Sequence, residues 1–200
     1  MADPAATTVG ETWEQLAAGM RGCVACAELA ATRTHVVVGT RPDADPAALL
    51  IGEAPGATED QTGTPFAGAA GRLLDQLLDE VGLPRARVAV ANVLKCRPPA
   101  NRAPSRVEVA NCRGWLTAQI NLIDAPVICA LGLTAARWFF GPAAKIGELR
   151  GEPHVVDGRV VVVTYHPSAA IRFGPKGMPR AALSEDLAAL ASFVASRSME

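Results

Sequence analysis

The chain is predicted to fold as a mixed α/β protein, with a parallel sheet covered by helices on both faces. Three observations predict this. Strand-like and helix-like stretches alternate with short joints, several strand-like runs are continuously apolar rather than alternating, and half of the 200 residues are hydrophobic. A chain of this length suits one domain that closes its own core without disulfide staples.

Residues 1–10 read as a flexible tail and 11–200 as a single domain, with no internal repeat or linker. "ETWEQLAAGMRGCVACAELAA" sets Trp13, Leu16, Ala17, Met20 and Val24 near helical spacing, so a helix is expected there, weakened by Gly19 and Gly22. "PAALLIGEAPG" reads as a buried strand entering a Gly/Pro loop, and "GAAGRLLDQLLDEVGL" as an amphipathic helix stopped by Gly82. "RVAVANVLK" is a second strand, "SRVEVANCRGWLTAQINLI" a helix and "APVICALG" a third strand. A helix around "LTAARWFFG" precedes "HVVDGRVVVVTYHPS", in which Asp-Gly marks a hairpin turn before a last buried strand. "RAALSEDLAALASFVAS" closes the chain as a helix. Ligands of such sheets sit on the loops at the carboxyl ends of the strands, here those starting "GEAPGATED", "KCRPPANR" and "HPSAAIR".

A formal net charge of -1 excludes a global positive field, so any nucleic-acid contact must rest on a local patch. "MADPAATTVGETW" lacks the cationic and hydrophobic regions of a secretory signal, and the aliphatic runs are far shorter than the roughly 20 residues of a membrane span. The expected setting is the cytoplasm, with no membrane partner. "GEAPG" lacks the Gly-Lys-Ser/Thr ending of a phosphate-binding loop and the spacing of a dinucleotide fingerprint, which argues against nucleotide hydrolysis.

Five cysteines, an odd number in a reducing compartment, argue for thiolates on a metal rather than a disulfide framework. Cys129, inside "PVICALG", reads as core. Cys23-x2-Cys26 and the distant pair Cys96-x15-Cys112 can complete one four-thiolate shell. The competing readings are four unrelated core residues, or a redox CxxC, which would normally follow a strand and open a helix. Spacing leaves zinc and an iron-sulfur cluster both open.

"GEAPGATEDQTGTPFAG", "NVLKCRPPANR" and "HPSAAIR", in this order and with these four cysteines, resemble the iron-sulfur uracil-DNA glycosylases known as family 4. The likeness runs from about Met20 to about Val194. It implies a three-layer α/β/α sandwich around a central four-stranded, mostly parallel sheet, and a structural [4Fe-4S] cluster on Cys23, Cys26, Cys96 and Cys112. It also implies a monomeric hydrolase that removes uracil from single- or double-stranded DNA, starting base-excision repair and releasing uracil as product.

That chemistry breaks a C1′–N1 bond with positive charge developing on the sugar and negative charge on the departing base, so both must be stabilised and one water positioned. On the resemblance, His166 stands beside the base carbonyl O2 and stabilises the leaving anion. Asn92 donates to O4 and accepts from N3–H, a pattern that cytosine inverts. Phe66 stacks on the flipped base, and the first-loop backbone, Gly52, Ala54 and Gly56, holds uracil. Of the acids, Glu59 is the first candidate for orienting the water, then Glu53, then Asp60. Read alone, each residue has a blander role: a strand-end histidine, a turn-capping asparagine, a core phenylalanine, loop-capping acids.

Lys95, Arg97, Arg102, Arg106 and Arg113 are available for DNA phosphates, whose contacts are sequence-independent and weaken with salt. After "HPSAA", Ile171 or Arg172 is expected to fill the gap left by the flipped base, with Lys176 and Arg180 extending the basic edge. A related branch binds uracil-DNA covalently through a histidine in a "KRRIH"-type insertion. Here the corresponding loop, "RPPANRAPSR", has no histidine, which predicts turnover, although "PSRVEVANCRGWL" is similar to that branch. The alternatives are that covalent mode and a non-catalytic iron-sulfur DNA-binding module.

Overall fold

In the computed structural model, which describes residues 12–197, the apolar runs become a five-stranded sheet. Strands β1 (Ala48–Gly52), β2 (Val88–Asn92) and β3 (Val127–Leu131) are buried along their whole length. β5 (Arg159–Thr164) continues the parallel set, and β4 (His154–Val156) pairs antiparallel with it. The order is β2-β1-β3-β5-β4. The four expected strands are therefore joined by a fifth. The Asp-Gly turn at Asp157–Gly158 folds "HVV" back as a short edge, with Asp157 at φ 48° and Gly158 at φ 77°.

Successive side chains of a strand point to opposite faces, and this splits the core in two. Ala48, Leu50, Val88, Val90, Val127 and Cys129 face one side. There they meet the leucines of α4 (Ala69–Glu80) and of α9 (Met178–Arg197). Leu49, Ile51, Ala89, Ala91, Ile128 and Ala130 face the other. They pack against α5 (Arg106–Ile123) and α6 (Leu133–Phe140). Each fully buried leucine contributes about 1.5–3 kcal/mol relative to exposure. The result is the three-layer α/β/α arrangement, with Cys129 in the core at 1 % exposure.

The single helix expected over 11–31 is two helices, α1 (Trp13–Arg21) and α2 (Ala27–Thr32). α1 starts at a Thr12/Gln15 capping box and lays Leu16, Ala17 and Met20 against α5. It ends at Gly22, and the turn to α2 carries Cys23 and Cys26 with Val24 exposed between them. "GATED" is not all loop either: α3 (Ala57–Thr62) ends at Gly63, whose φ of 71° suits a glycine C-cap. The remaining helices are α7 (Ile146–Leu149) and α8 (Pro167–Arg172). The expected tail, residues 1–10, lies outside the described residues.

Candidate active site and cysteine centre

The chain crosses from β1 to β2 on one side of the sheet and from β2 past β1 to β3 on the other. A crevice therefore opens at the carboxyl ends of the strands, as expected where strand order reverses. A cleft of ≈ 590 Å³ sits there. Of the expected residues, Glu53, Ala54, Gly56, Glu59, Phe66, Asn92, Arg102, His166 and Arg172 line it.

Gly52, the last residue of β1, lies beneath the cleft, and its lack of a side chain decides the geometry above. A Cβ at that position would stand 2.4 Å from Asn92 Oδ1 and 2.6 Å from Phe66 Cζ. Asn92 ends β2 at 3 % exposure, and its side-chain amide bonds to no other described residue. That amide faces the cleft, where it is available to a ligand as both donor and acceptor. Phe66 is held in the left-handed region at φ 56°, over α4, where a Cβ on Gly71 would fall 1.6 Å from the Phe66 carbonyl oxygen. Its ring centroid lies 5.6 Å from that of His166.

His166 is the N-cap of α8, extended at φ -72° and ψ 139°, as a residue before proline should be. Its Nδ1 accepts the Ser168 backbone N–H at 3.2 Å and lies 2.8 Å from Ser168 Oγ. A backbone N–H can only donate, so Nδ1 is unprotonated and the ring proton sits on Nε2. Burial pulls the imidazole down to about 4, against the opposing charge of Glu59. At neutral pH it is an uncharged Nε2–H donor.

The two glutamates differ. Both oxygens of Glu59 accept backbone N–H groups, from Gly56 at 3.0 Å and Gly68 at 2.7 Å, so this carboxylate shapes the loops around Phe66. Glu53 accepts from the Thr134 hydroxyl with Oε2. Its Oε1 has no donor among the described residues. Asp60 turns away, accepting from the Thr34 and His35 backbones.

The basic segment divides. Arg106 and Arg172 are exposed and carry no ion pair among the described residues, and Arg97 donates to Asn101 Oδ1 at 2.7 Å. Arg102 is clamped between Glu108 at 2.7 Å and Glu28 at 2.8 Å, holding Glu108 down to about 2. Its charge is thus shared with two carboxylates at the edge of the cleft. Arg113 lies over Trp138, 4.8 Å from the ring centroid. Lys95 is a plain correction: at 2 % exposure it reaches no phosphate, and its ammonium donates to the Asn92 carbonyl. Ile171 is 48 % exposed beside the cleft, and Phe173, which sequence reasoning passed over, is 64 % exposed at the end of α8.

Also missed were Gly132, which follows β3 and caps α6, and Thr134, in the first turn of α6. A Cβ on Gly132, at φ 90°, would stand 2.8 Å from His166 Cβ. The signal was present, since "APVICALG" ends at the same sheet edge as the three loops that were singled out.

Cys23, Cys26, Cys96 and Cys112 line one small void with Met20, Leu29, Arg33 and Lys95. Arg33 donates to Cys96 Sγ at 3.2 Å and Asn111 to Cys26 Sγ at 3.5 Å. Burial pushes Cys112 up to about 11, with the nearby Lys95 charge opposing it. Among the described residues, no group of three or more His, Cys, Asp or Glu side chains could hold a single metal ion.

A family model described as the uracil DNA glycosylase superfamily matches residues 38–190. A type-4 uracil-DNA glycosylase of Thermotoga maritima is 42% identical over 186 residues, 92% of this chain and 95% of that protein. Those of Pyrobaculum aerophilum and Archaeoglobus fulgidus are 41% identical over 150 residues and 37% over 169. These span 70% and 80% of this chain, and 74% and 84% of the relatives. With the fold and the cleft in place, the chain belongs to the uracil-DNA glycosylase superfamily, among its type-4 enzymes.

Proposed function

We propose that this protein hydrolyses the N-glycosidic bond of deoxyuridine in DNA, taking the uracil, flipped from the helix, into the cleft at the ends of the parallel strands. The observation that carries this is convergence. An unpaired buried amide, an aromatic ring and a neutral imidazole donor, from three distant segments, line one cleft. Phe66 stacks on the base, Asn92 pairs with its O4 and N3–H edge, and His166 Nε2–H donates to O2 as the anion departs. Water adds to C1′ and its proton is released, leaving free uracil and an abasic site.

Glu53 is the better candidate for orienting that water, because one of its oxygens remains free of protein donors. Glu59, with both oxygens on backbone N–H groups, organises the loops and faces His166 electrostatically. This reverses the order that sequence suggested. In Glu53→Gln, uracil release is expected to fall about 10²-fold with DNA affinity kept. In Glu59→Gln, lost loop order should weaken substrate binding as well. Equal kcat in Glu53→Gln and wild type would return the role to Glu59.

The fit of an iron-sulfur cluster rests on the donor set. Four half-buried thiols share one void and are not gathered for one ion, whereas a single zinc needs every sulfur at about 2.3 Å. Cys23, Cys26, Cys96 and Cys112 would hold a [4Fe-4S] centre as a structural brace, since glycoside hydrolysis moves no electrons. Arg106 and Arg172 would meet phosphates, and Ile171 with Phe173 would fill the vacated stack.

A covalent mode has no support in the cleft. Of the other two histidines, His35 bonds Asp60 O at 2.7 Å and His154 bonds Leu149 O at 2.8 Å, and neither lines it. The deciding experiment compares uracil oligonucleotides with matched hypoxanthine, thymine-mismatch and cytosine controls. Release of free uracil without a heat- and SDS-stable adduct is expected. Binding without release would leave a non-catalytic module.

A further inference from the structure

We propose that Lys95 is a positioning residue for base recognition, tying the four-cysteine centre to the main chain of Asn92. The inference rests on the iron-sulfur reading above and concerns this chain's own residues. Lys95 sits between the two sites and touches both. It lines the same small void as Cys23, Cys26, Cys96 and Cys112. Its ammonium donates to the backbone carbonyl of Asn92. At 2 % exposure the ammonium has lost its water, and a buried charge persists only when compensated. Cys96 and Cys112 stand beside it around that void, and a four-thiolate iron-sulfur centre held there would be net negative.

The consequence falls on Asn92 because no other described residue holds its side chain. The amide has no partner among the described residues, so its aim follows from where its main chain is fixed. Register with Gly52 secures the strand, the next amides bond to Gly52 O and Glu53 O, and the Asn92 carbonyl is held by Lys95. The centre braces base reading through this ammonium. That explains a lysine inside the basic segment with no route to DNA.

The test is Lys95→Met in the full-length holoprotein, with three readouts. Single-turnover uracil release is expected to fall about 10-fold or more, with DNA affinity and its salt slope unchanged. The midpoint potential of the bound cluster is expected to drop, because one neighbouring positive charge is gone. In an Asn92→Ala background, Lys95→Met should add little further loss, as for two residues acting through one contact.

A salt slope reduced by about 1 with release intact would make Lys95 a phosphate contact and overturn the proposal. So would multiplicative losses with Asn92→Ala, or an unchanged potential. Should the methionine variant not accumulate folded, Lys95→Gln removes the same charge and carries the same readouts. Iron content and absorbance near 400 nm of the wild type judge the cluster reading separately. Colourless zinc protein would sink that reading while leaving the Lys95–Asn92 cycle to be judged on release.

Discussion

Replacing Gly52 with alanine should disable the cleft while sparing the fold. The new Cβ would lie 2.4 Å from Asn92 Oδ1 and 2.6 Å from Phe66 Cζ, so ordinary contact requires those atoms to retreat by about 1 Å. Both are side-chain tips, and β1 itself need not move, so the strain is expressed as displacement of the Asn92 amide and the Phe66 ring. Overpacking of this kind costs about 1–3 kcal/mol of stability. A misplacement of about 1 Å at a reacting site can cost about 10²-fold in rate, or about 2.7 kcal/mol of transition-state stabilisation. The assay is single-turnover release of uracil from a labelled oligonucleotide, beside thermal melting. Gly147→Ala serves as control, since a Cβ there meets nothing within 4 Å. Gly52→Ala within twofold of wild type would refute the placement of Asn92 and Phe66 around the substrate.

Two other expectations follow from the same geometry. With His166 lowered to about 4, the imidazole is neutral above that pH, so kcat/KM should be flat across about pH 5.5 to 8 with no inflection near the usual histidine value. A clear inflection near 6.5 would mean that the buried, Ser168-bound ring is not the acting group. Arg172→Ala removes an exposed cation at the rim, so binding should weaken for damaged and undamaged DNA alike, and the salt slope should shrink by about 1. An unchanged slope would take Arg172 off the DNA.

How much of this was legible depended on whether a signal was local. The runs "ALLIG", "VAVAN" and "VICAL" could be read as buried strands because burial on both faces leaves no alternation, and the Asp-Gly turn was readable because few residues tolerate positive φ. The cleft residues Asn92, Phe66 and His166 were found through their motifs and their places at strand ends. The first helix was overextended because Val24 keeps helical spacing while the chain has already turned at Gly22 to present Cys23. Lys95 was assigned to DNA because a positive charge in sequence carries no information about which way it points, and here it points inward.

The amino-acid order by itself therefore determined the layer architecture and the two cysteine pairs, which follow from local pattern and residue type, and the resemblance of its motifs singled out side chains that line the cleft. Tertiary structure alone decided which charges are spent. Glu59 is bound by backbone amides, Arg102 by two glutamates, and Lys95 is folded inward between thiols and a carbonyl. It also decided that Gly52 and Gly132 must lack side chains, because a missing Cβ has meaning only once the atoms that would collide with it have been brought there from elsewhere in the chain.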